Sequence, residues 1–166
     1  MRDNVWYSLV DVKFKAIFLD ECSRLASFIG QVYTIFLAIV ASTSVATWAV
    51  WKEYPTIWAI VFGISQLLHI IKPYVPFIKR GSDYRDMSNE FESLYLRYEK
   101  LWYKLEQDSL DYKEKTQEEF YTLREEELEI LKRHKEHPPR FRWLITKSRK
   151  ELDNTLRRFF KGESHV

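Results

Sequence analysis

Few residues in this sequence have the types and the spacing that catalysis or metal binding requires. His134 and His137 stand three residues apart at the end of a charged segment, and imidazole nitrogens are common ligands of transition metals. A single pair of this kind at a helix end is usually hydrated, so we predict neither a metal site nor a cofactor. Cys22 is the only cysteine and has no histidine near it in the sequence, so it predicts neither an intrachain disulfide nor a catalytic thiol.

A second pattern, Arg158 followed seven residues later by His165, superficially fits the Arg-x4–6-His motif of HEPN ribonucleases. That motif normally places a polar residue after the arginine, whereas Phe159 follows it here. We also expect His165 to lie in a frayed terminus. The sequence therefore predicts that the protein is not an enzyme, and a membrane-tethered HEPN-like ribonuclease is kept as an alternative.

The charged residues are distributed as if different parts of the chain met different solvents. No charged residue occurs between Arg24 and Lys52, and residues 54–71 contain only the titratable His69, although 30% of the whole chain is charged. At about 1.5 Å per residue, uncharged runs of this length can cross a hydrocarbon core of about 30 Å. The sequence predicts a transmembrane hairpin at residues 25–79, with spans at about 25–51 and 55–78.

The connector between the two spans, Trp51 to Pro55, is so short that we expect the spans to lie antiparallel and adjacent. Its tryptophan and tyrosine side chains are typical of a membrane interface. Basic residues flank the outer ends of both spans, whereas the connector holds only Lys52, and basic loops are retained in the cytoplasm. We therefore expect a multi-pass protein of the inner (cytoplasmic) membrane with both termini in the cytoplasm.

Small residues recur at four-residue spacing in both spans, where they let helices approach closely. They are Ala38, Ser42 and Ala46 in the first span, and Ala59 and Gly63 in the second. These ridges pair either within one hairpin or between subunits. Gln66 and His69 lie one turn apart in the second span, and polar groups at membrane depth tend to face protein or water. We predict that they line a pore or a polar seam in a homo-oligomer.

Helical periodicity also marks the charged parts of the chain. Residues 1–24 predict an amphipathic helix that either lies on the bilayer surface or packs against the soluble helices. Its predicted apolar face contains Trp6, Leu9, Val10, Phe14, Ile17 and Phe18. Residues 82–137 predict acidic cytoplasmic helices in a bundle. Its predicted core contains Phe91, Leu94, Tyr95, Tyr98, Leu101, Trp102 and Leu105.

The heptad pattern of the acidic helices fails between residues 106 and 119. Either one long helical rod continues through this stretch, or the chain turns near Asp108 and Ser109. These two residue types are poor in helix interiors and favour the turn, with Ser109 as the cap of the next helix. The acidic run Glu125 to Glu127 is most simply a solvated face.

Residues 140–161 predict a basic amphipathic C-terminal helix with 8 basic and 2 acidic side chains, whereas residues 82–131 have 7 basic and 15 acidic ones. Ionic packing of this helix on the acidic segment, in the same chain or in a neighbouring one, is the simplest interpretation, and binding to anionic lipid head groups is the next. Nucleic acid is the least favoured partner because no nucleic-acid-binding motif is present. The predicted fold is thus an all-α membrane protein with an N-terminal amphipathic helix, a two-helix transmembrane hairpin and a C-terminal cytoplasmic helical bundle.

The order of these parts, with EFESLYLRYEKLWYKLEQ (residues 90–107) after the second span, resembles the SLATT domains. These are two-span effector domains found beside nucleotide-producing and nucleotide-sensing proteins in bacterial conflict systems. In that family an aromatic-rich helix, matched here by Phe91, Tyr95, Tyr98 and Trp102, leads into further helices. The resemblance covers roughly residues 10–135 and does not include the basic helix. It implies a regulatory protein encoded nearby, no catalytic residues, and assembly into pores that kill or arrest an infected cell.

The patterns and the resemblance together predict an oligomeric membrane effector that forms or gates a pore and disrupts membrane integrity in bacterial anti-phage defence. Two spans cannot enclose a water path, so conduction requires several copies. The expected partners are the lipid bilayer and further copies of the chain. The alternative is a non-conducting membrane adaptor whose cytoplasmic helices recruit another protein.

Overall fold

The computed structural model describes residues 1–46, 55–71, 76–107, 113–134 and 138–162. All regular secondary structure in these ranges is α-helical, as the sequence predicts. The helices are α1 (Arg2–Ala46), α2 (Pro55–Ile71), α3 (Pro76–Lys79), α4 (Gly81–Gln107), α5 (Lys113–Arg133) and α6 (Arg142–Gly162).

Helix α1 runs through the predicted boundary between an amphipathic helix at residues 1–24 and a first span beginning at residue 25. No proline precedes Pro55, and Gly30 is the one glycine in α1, so the sequence contains no strong helix breaker at this boundary. After Arg24 the helix surface becomes apolar because charged side chains are absent. The hydrogen bonds of the helix backbone are not affected by this change. The two predicted elements are therefore one helix of 45 residues.

The second predicted span, residues 55–78, contains two described helical stretches. Helix α2 ends at Ile71, and α3 begins at Pro76. Residues 72–75, which include Pro73, lie outside the described residues. Proline is favourable at the first position of a helix, where its missing N–H would have no partner in any case. Whether the second span continues to Ile78 therefore stays a prediction.

The chain divides into two compact units. Residues 1–23 and 82–166 belong to the first, called here the bundle unit, and residues 24–81 belong to the second, called the apolar unit. These limits fall close to the predicted borders at residues 24 and 79–82. The first half of α1 belongs to the bundle unit and the remainder to the apolar unit.

Helices α4 and α5 of the bundle unit are antiparallel neighbours. Ion pairs join Arg97 to Glu126, Lys104 to Glu119, and Arg133 to Glu90. The two residue numbers in each pair add to the same value, which is expected for antiparallel helices in one constant register. The chain therefore reverses between α4 and α5, as the turn interpretation predicts. Residues 108–112, which include the predicted turn and cap, lie outside the described residues.

The first part of α1 packs against α4, which decides between the two predicted locations of this helix. The hydroxyl of Ser88 donates a 2.8 Å hydrogen bond to the carbonyl oxygen of Ala16, and Lys13 Nζ lies 2.5 Å from Glu92 Oε1. The buried face of α1 in the bundle unit contains Val5, Leu9, Val12, Ala16, Leu19 and Cys22.

The buried face of α1 is therefore rotated around the helix axis relative to the predicted apolar face. Five of its six members are only half-buried: Trp6, Val10, Phe14, Ile17 and Phe18. The prediction gave most weight to bulky aromatic residues. The centre of the contact instead has small residues such as Ala16, which let two helix backbones come close together.

Helix α6 buries Leu144, Ser148 and Leu152 in the bundle unit, and Lys147 Nζ pairs with Glu21 Oε2 of α1 at 2.6 Å. Among the described residues, no ion pair joins 140–161 to the acidic residues 82–131. The predicted ionic packing is therefore not observed within one chain there, and packing on a neighbouring chain stays a prediction. The acidic helices pair instead with lysines of α1 and with their own basic side chains.

Candidate functional site

Three of the predicted membrane residues form one stripe along α2. Ala59, Gly63 and Gln66 follow each other at intervals of four and three residues, which places them on the same helix face. All three are exposed, and a Cβ atom added to Gly63 would meet no atom within 4 Å. Where the structure describes the chain, this stripe is therefore not packed against another helix of the same molecule.

The amide of Gln66 is the polar group of this stripe. It makes no hydrogen bond with any described residue, although it has two donors and an acceptor. Thr34 of α1 behaves differently, because its hydroxyl donates a 2.9 Å hydrogen bond to the carbonyl oxygen of Gly30. Local bonding of this kind satisfies a hydroxyl inside its own helix, but Gln66 makes no such bond here.

The other residues predicted to act in the membrane are less completely described. Ala38 lies in α1 and is exposed. Ser42 and Ala46 also lie in α1, and His69 lies in α2, but their side chains are outside the described part of the structure. The proximity of the Gln66 and His69 side chains stays a prediction.

The apolar unit exposes large hydrophobic side chains on both of its long helices. They are Phe28, Ile29, Val32, Ile35 and Ile39 in α1, and Ile60, Ile64, Leu67 and Ile70 in α2. Monomeric soluble proteins rarely expose continuous apolar surface beyond a few hundred Å². Within the described residues, one helix, Arg2–Ile39, is long and apolar enough to cross a membrane. Signal sequences and buried core helices meet the same criterion.

The predicted core residues of α4 lie inside the bundle unit. Six are buried, namely Phe91, Leu94, Tyr95, Tyr98, Leu101 and Trp102, while Leu105 is half-buried. Burial, reinforced by nearby glutamates, raises the pKa of Tyr95 and Tyr98 well above the usual value for a phenol. Both phenols therefore stay neutral at physiological pH. The ring of Trp102 contacts that of Trp6 in α1 at a centroid distance of 5.6 Å.

An ion-pair network around the buried carboxylate of Glu127 links α1 to α5, and the sequence patterns did not predict it. Glu127 is only 4% exposed, which corrects the expectation of a solvated face at this position. Lys15 Nζ lies 2.6 Å from Glu127 Oε1 and 2.6 Å from Asp11 Oδ2. Arg124 Nη1 lies 3.2 Å from Glu127 Oε2. The sequence does contain a signal for this network. Glu127 lies four residues after Leu123 and so shares its buried helix face, and a carboxylate in a core position needs a basic partner.

The residues that the sequence singles out for catalysis or metal binding are not assembled into a site where the structure describes them. No group of three or more His, Cys, Asp or Glu side chains in the described ranges is able to hold a metal ion. His134 lies beside Glu90, at 3.7 Å from Nε2 to Oε1. His137, His165 and the side chain of Arg158 lie outside the described residues.

Cys22 is fully buried in the bundle unit. Desolvation, with a contribution from Glu21, raises the pKa of its thiol to about 12. The thiolate is the reactive form of cysteine, so this side chain is chemically inert in the folded protein.

Comparison of the chain with protein-family models, with curated proteins and with solved structures finds no match.

Proposed function

We propose that the protein is an oligomeric membrane effector that forms or gates a pore in bacterial anti-phage defence. The observation that carries this proposal is the exposed amide of Gln66, which bonds with no described residue, on a stripe of small residues in an otherwise apolar helix. The resemblance to SLATT domains agrees with it and supplies the biological setting. The proposal contains two steps, insertion of the apolar unit into lipid and association of several copies.

Insertion accounts for the exposed apolar side chains of α1 and α2. Burying apolar surface contributes about 25 cal/mol per Å², so leaving both helices in water is strongly unfavourable compared with placing them in hydrocarbon. The absence of Asp, Glu, Lys and Arg between residues 25 and 51 and between 54 and 71 removes the principal cost of entering the bilayer. The two helices then cross the membrane as a hairpin, with both termini on the cytoplasmic side.

Association accounts for Gln66. Counted along the helix from the predicted turn at Pro55, Gln66 lies eleven residues, or about 16 Å, into a hydrocarbon core of about 30 Å. An amide without a partner costs about 4–8 kcal/mol in a purely hydrocarbon environment. Ala59 and Gly63 on the same face let a second helix approach closely enough to bond with this amide. A ring of such contacts places the amides around a shared polar path.

Leakage of a dye from liposomes tests conduction. Purified full-length protein is reconstituted into vesicles loaded with carboxyfluorescein, and the Gln66→Leu and His69→Leu variants are compared with the wild type. We expect each variant to reduce the leakage rate by about tenfold or more, because one interhelical hydrogen bond per interface is worth about 1–2 kcal/mol.

Gln31→Leu provides the matched control, because it makes the same chemical change in the other span. Gln31 lies twenty residues before Trp51, or about 30 Å along the helix, and so reaches the opposite interface, where water satisfies its amide. Leakage should be unchanged in this variant. Equal leakage from the wild type, Gln66→Leu and His69→Leu would show that these two residues do not line the pore. No leakage from the wild type would exclude a constitutive pore and favour the adaptor.

A further inference from the structure

The bundle unit contains a cavity of about 400 Å³ that neither pore formation nor an adaptor role requires. Its walls come from four segments of the chain, namely α1, α4, α5 and the residues from Pro138 into α6. Most of the lining is apolar, including Phe14, Phe18, Met87, Phe91, Leu131 and Ile145. Cavities of about 300–1,000 Å³ with predominantly apolar walls are the usual size for small-molecule sites.

Among the described residues, the polar side chains that line this cavity are all cationic. Lys15 is one of them, but Asp11 and Glu127 already balance its charge at 2.6 Å each. Arg140 and Arg149 also line the cavity, both are exposed, and neither makes an ion pair with a described residue. No carboxylate is part of the lining that the structure describes. The cavity thus combines an apolar interior with two guanidinium groups that no described carboxylate neutralises.

We propose that this cavity binds an amphiphile with one alkyl chain and an anionic head group. The alkyl chain lies against the aromatic and aliphatic walls, and the head group pairs with Arg140 and Arg149. Carboxylate and phosphate oxygens both match the planar donors of a guanidinium group, so a fatty acid and a lipid-derived phosphate share the required chemistry. This site lies within the bundle unit and does not depend on whether the apolar unit conducts.

Methionine methyl resonances offer a direct measurement, since the chain has only two methionines. Met87 lines the cavity, while Met1 is exposed and does not, so Met1 reports non-specific effects. Full-length protein labelled with ¹³C-methyl methionine is placed in nanodiscs of zwitterionic lipid and titrated with octanoate, octyl phosphate, octanol or octyltrimethylammonium. We expect octanoate and octyl phosphate to shift the Met87 signal saturably, while Met1 stays unchanged.

The ligand series separates the two parts of the site. From hexanoate to octanoate, affinity should rise about fourfold for each added methylene, after correction for partition into the nanodisc lipid. The relative affinities of octanoate and octyl phosphate distinguish the two head-group sources. No saturable Met87 shift with either anion, or equal binding of octyltrimethylammonium, would overturn the proposal without any variant.

Variants without the two positive charges then test whether Arg140 and Arg149 bind the head group. The double variant Arg140→Gln/Arg149→Gln should weaken octanoate binding about tenfold or more, because a charge-assisted hydrogen bond contributes well above a neutral one. The matched control is Lys150→Gln/Arg157→Gln, which removes two exposed charges of α6 that do not line the cavity. Equal weakening in both double variants would show a general charge effect and contradict the assigned site.

Discussion

We expect the Leu101→Ala variant to lose about 2–5 kcal/mol of the free energy that keeps the bundle unit closed. Leu101 is 0% exposed at the centre of the α4 core. Its truncation removes buried methyl groups and leaves a cavity that the surrounding helices fill only in part. The matched control is Leu96→Ala on the same helix, where the leucine is 55% exposed and the expected change is within about 0.5 kcal/mol.

The single cysteine provides the measurement for this prediction. Cys22 is fully buried, and its raised pKa of about 12 keeps the thiol protonated, so a maleimide reacts with it only after the bundle unit opens. When reclosing is faster than labelling, the labelling rate reports the free energy of opening. A loss of 2–5 kcal/mol corresponds to acceleration by about 30-fold to several thousand-fold. Equal labelling rates in Leu101→Ala and Leu96→Ala would contradict the assignment of this core.

The second large effect concerns the ion-pair network around Glu127. Replacing Lys15 with methionine leaves the carboxylate of Glu127 buried, with Arg124 as its remaining basic neighbour. Removing one partner of a fully buried pair costs about 3–5 kcal/mol. Because 29% of the Lys15 side chain is exposed, we expect a smaller loss, about 2–3 kcal/mol, in the same Cys22 labelling measurement.

The double variant Lys15→Met/Glu127→Leu controls for the charge that the single variant leaves behind. It should regain part of the loss, because neither member of the buried pair then needs compensation. A double variant that is as unstable as the sum of the two single variants would show that the Lys15–Glu127 pair contributes no coupling.

The pH dependence of this network has a definite sign. Desolvation alone lowers the pKa of Lys15, but hydrogen bonds to Asp11 and Glu127 outweigh it, and the pKa rises above the usual 10.5. A pKa that is higher in the folded state stabilises the fold fully below about pH 10.5, and this contribution is lost as the pH rises through the folded value. The difference in labelling rate between wild type and Lys15→Met should therefore shrink above pH 10.5. Comparing two chains that both contain Cys22 cancels the titration of its own thiol.

The parts of the fold that the sequence predicts well are those with a repeated pattern. The heptad through Phe91, Leu94, Tyr98 and Leu101 identifies the buried face of α4 because a helix with an apolar stripe has one stable way to bury it. The reversal of the chain between α4 and α5 is predictable for a similar reason, since the pattern stops where poor helix formers begin.

Features that depend on packing between elements were not predictable in the same way. The core face of α1 includes Ala16 and Cys22, whose small side chains have little weight in a search for apolar stripes but allow close contact. The burial of Glu127 depends on Lys15, 112 residues away in the chain. The cavity depends on the relative positions of four segments, which no local pattern specifies.

The candidate membrane site also combines a feature that local spacing determines with one that depends on packing between helices. The sequence predicts that Ala59, Gly63 and Gln66 share a face, because their spacing alone determines it. Whether that face is covered by the chain's own helices is a property of the fold, and the exposure of Gly63 bears on it directly. Among the described residues, that exposure agrees with pairing between copies.

The central claim is that several copies associate through the exposed face of α2 in a lipid bilayer. Native mass spectrometry of protein released from nanodiscs tests it most directly, using wild type, Gly63→Leu and the control Ile64→Leu. A Cβ atom added at Gly63 meets no atom within 4 Å in the described part of the single chain, so we expect the larger side chain to disturb contacts between copies. We predict one defined species of more than two subunits for the wild type and Ile64→Leu, and monomers or dimers for Gly63→Leu. A wild-type protein that is monomeric in lipid, or that stays monodisperse in water without detergent, would contradict the claim.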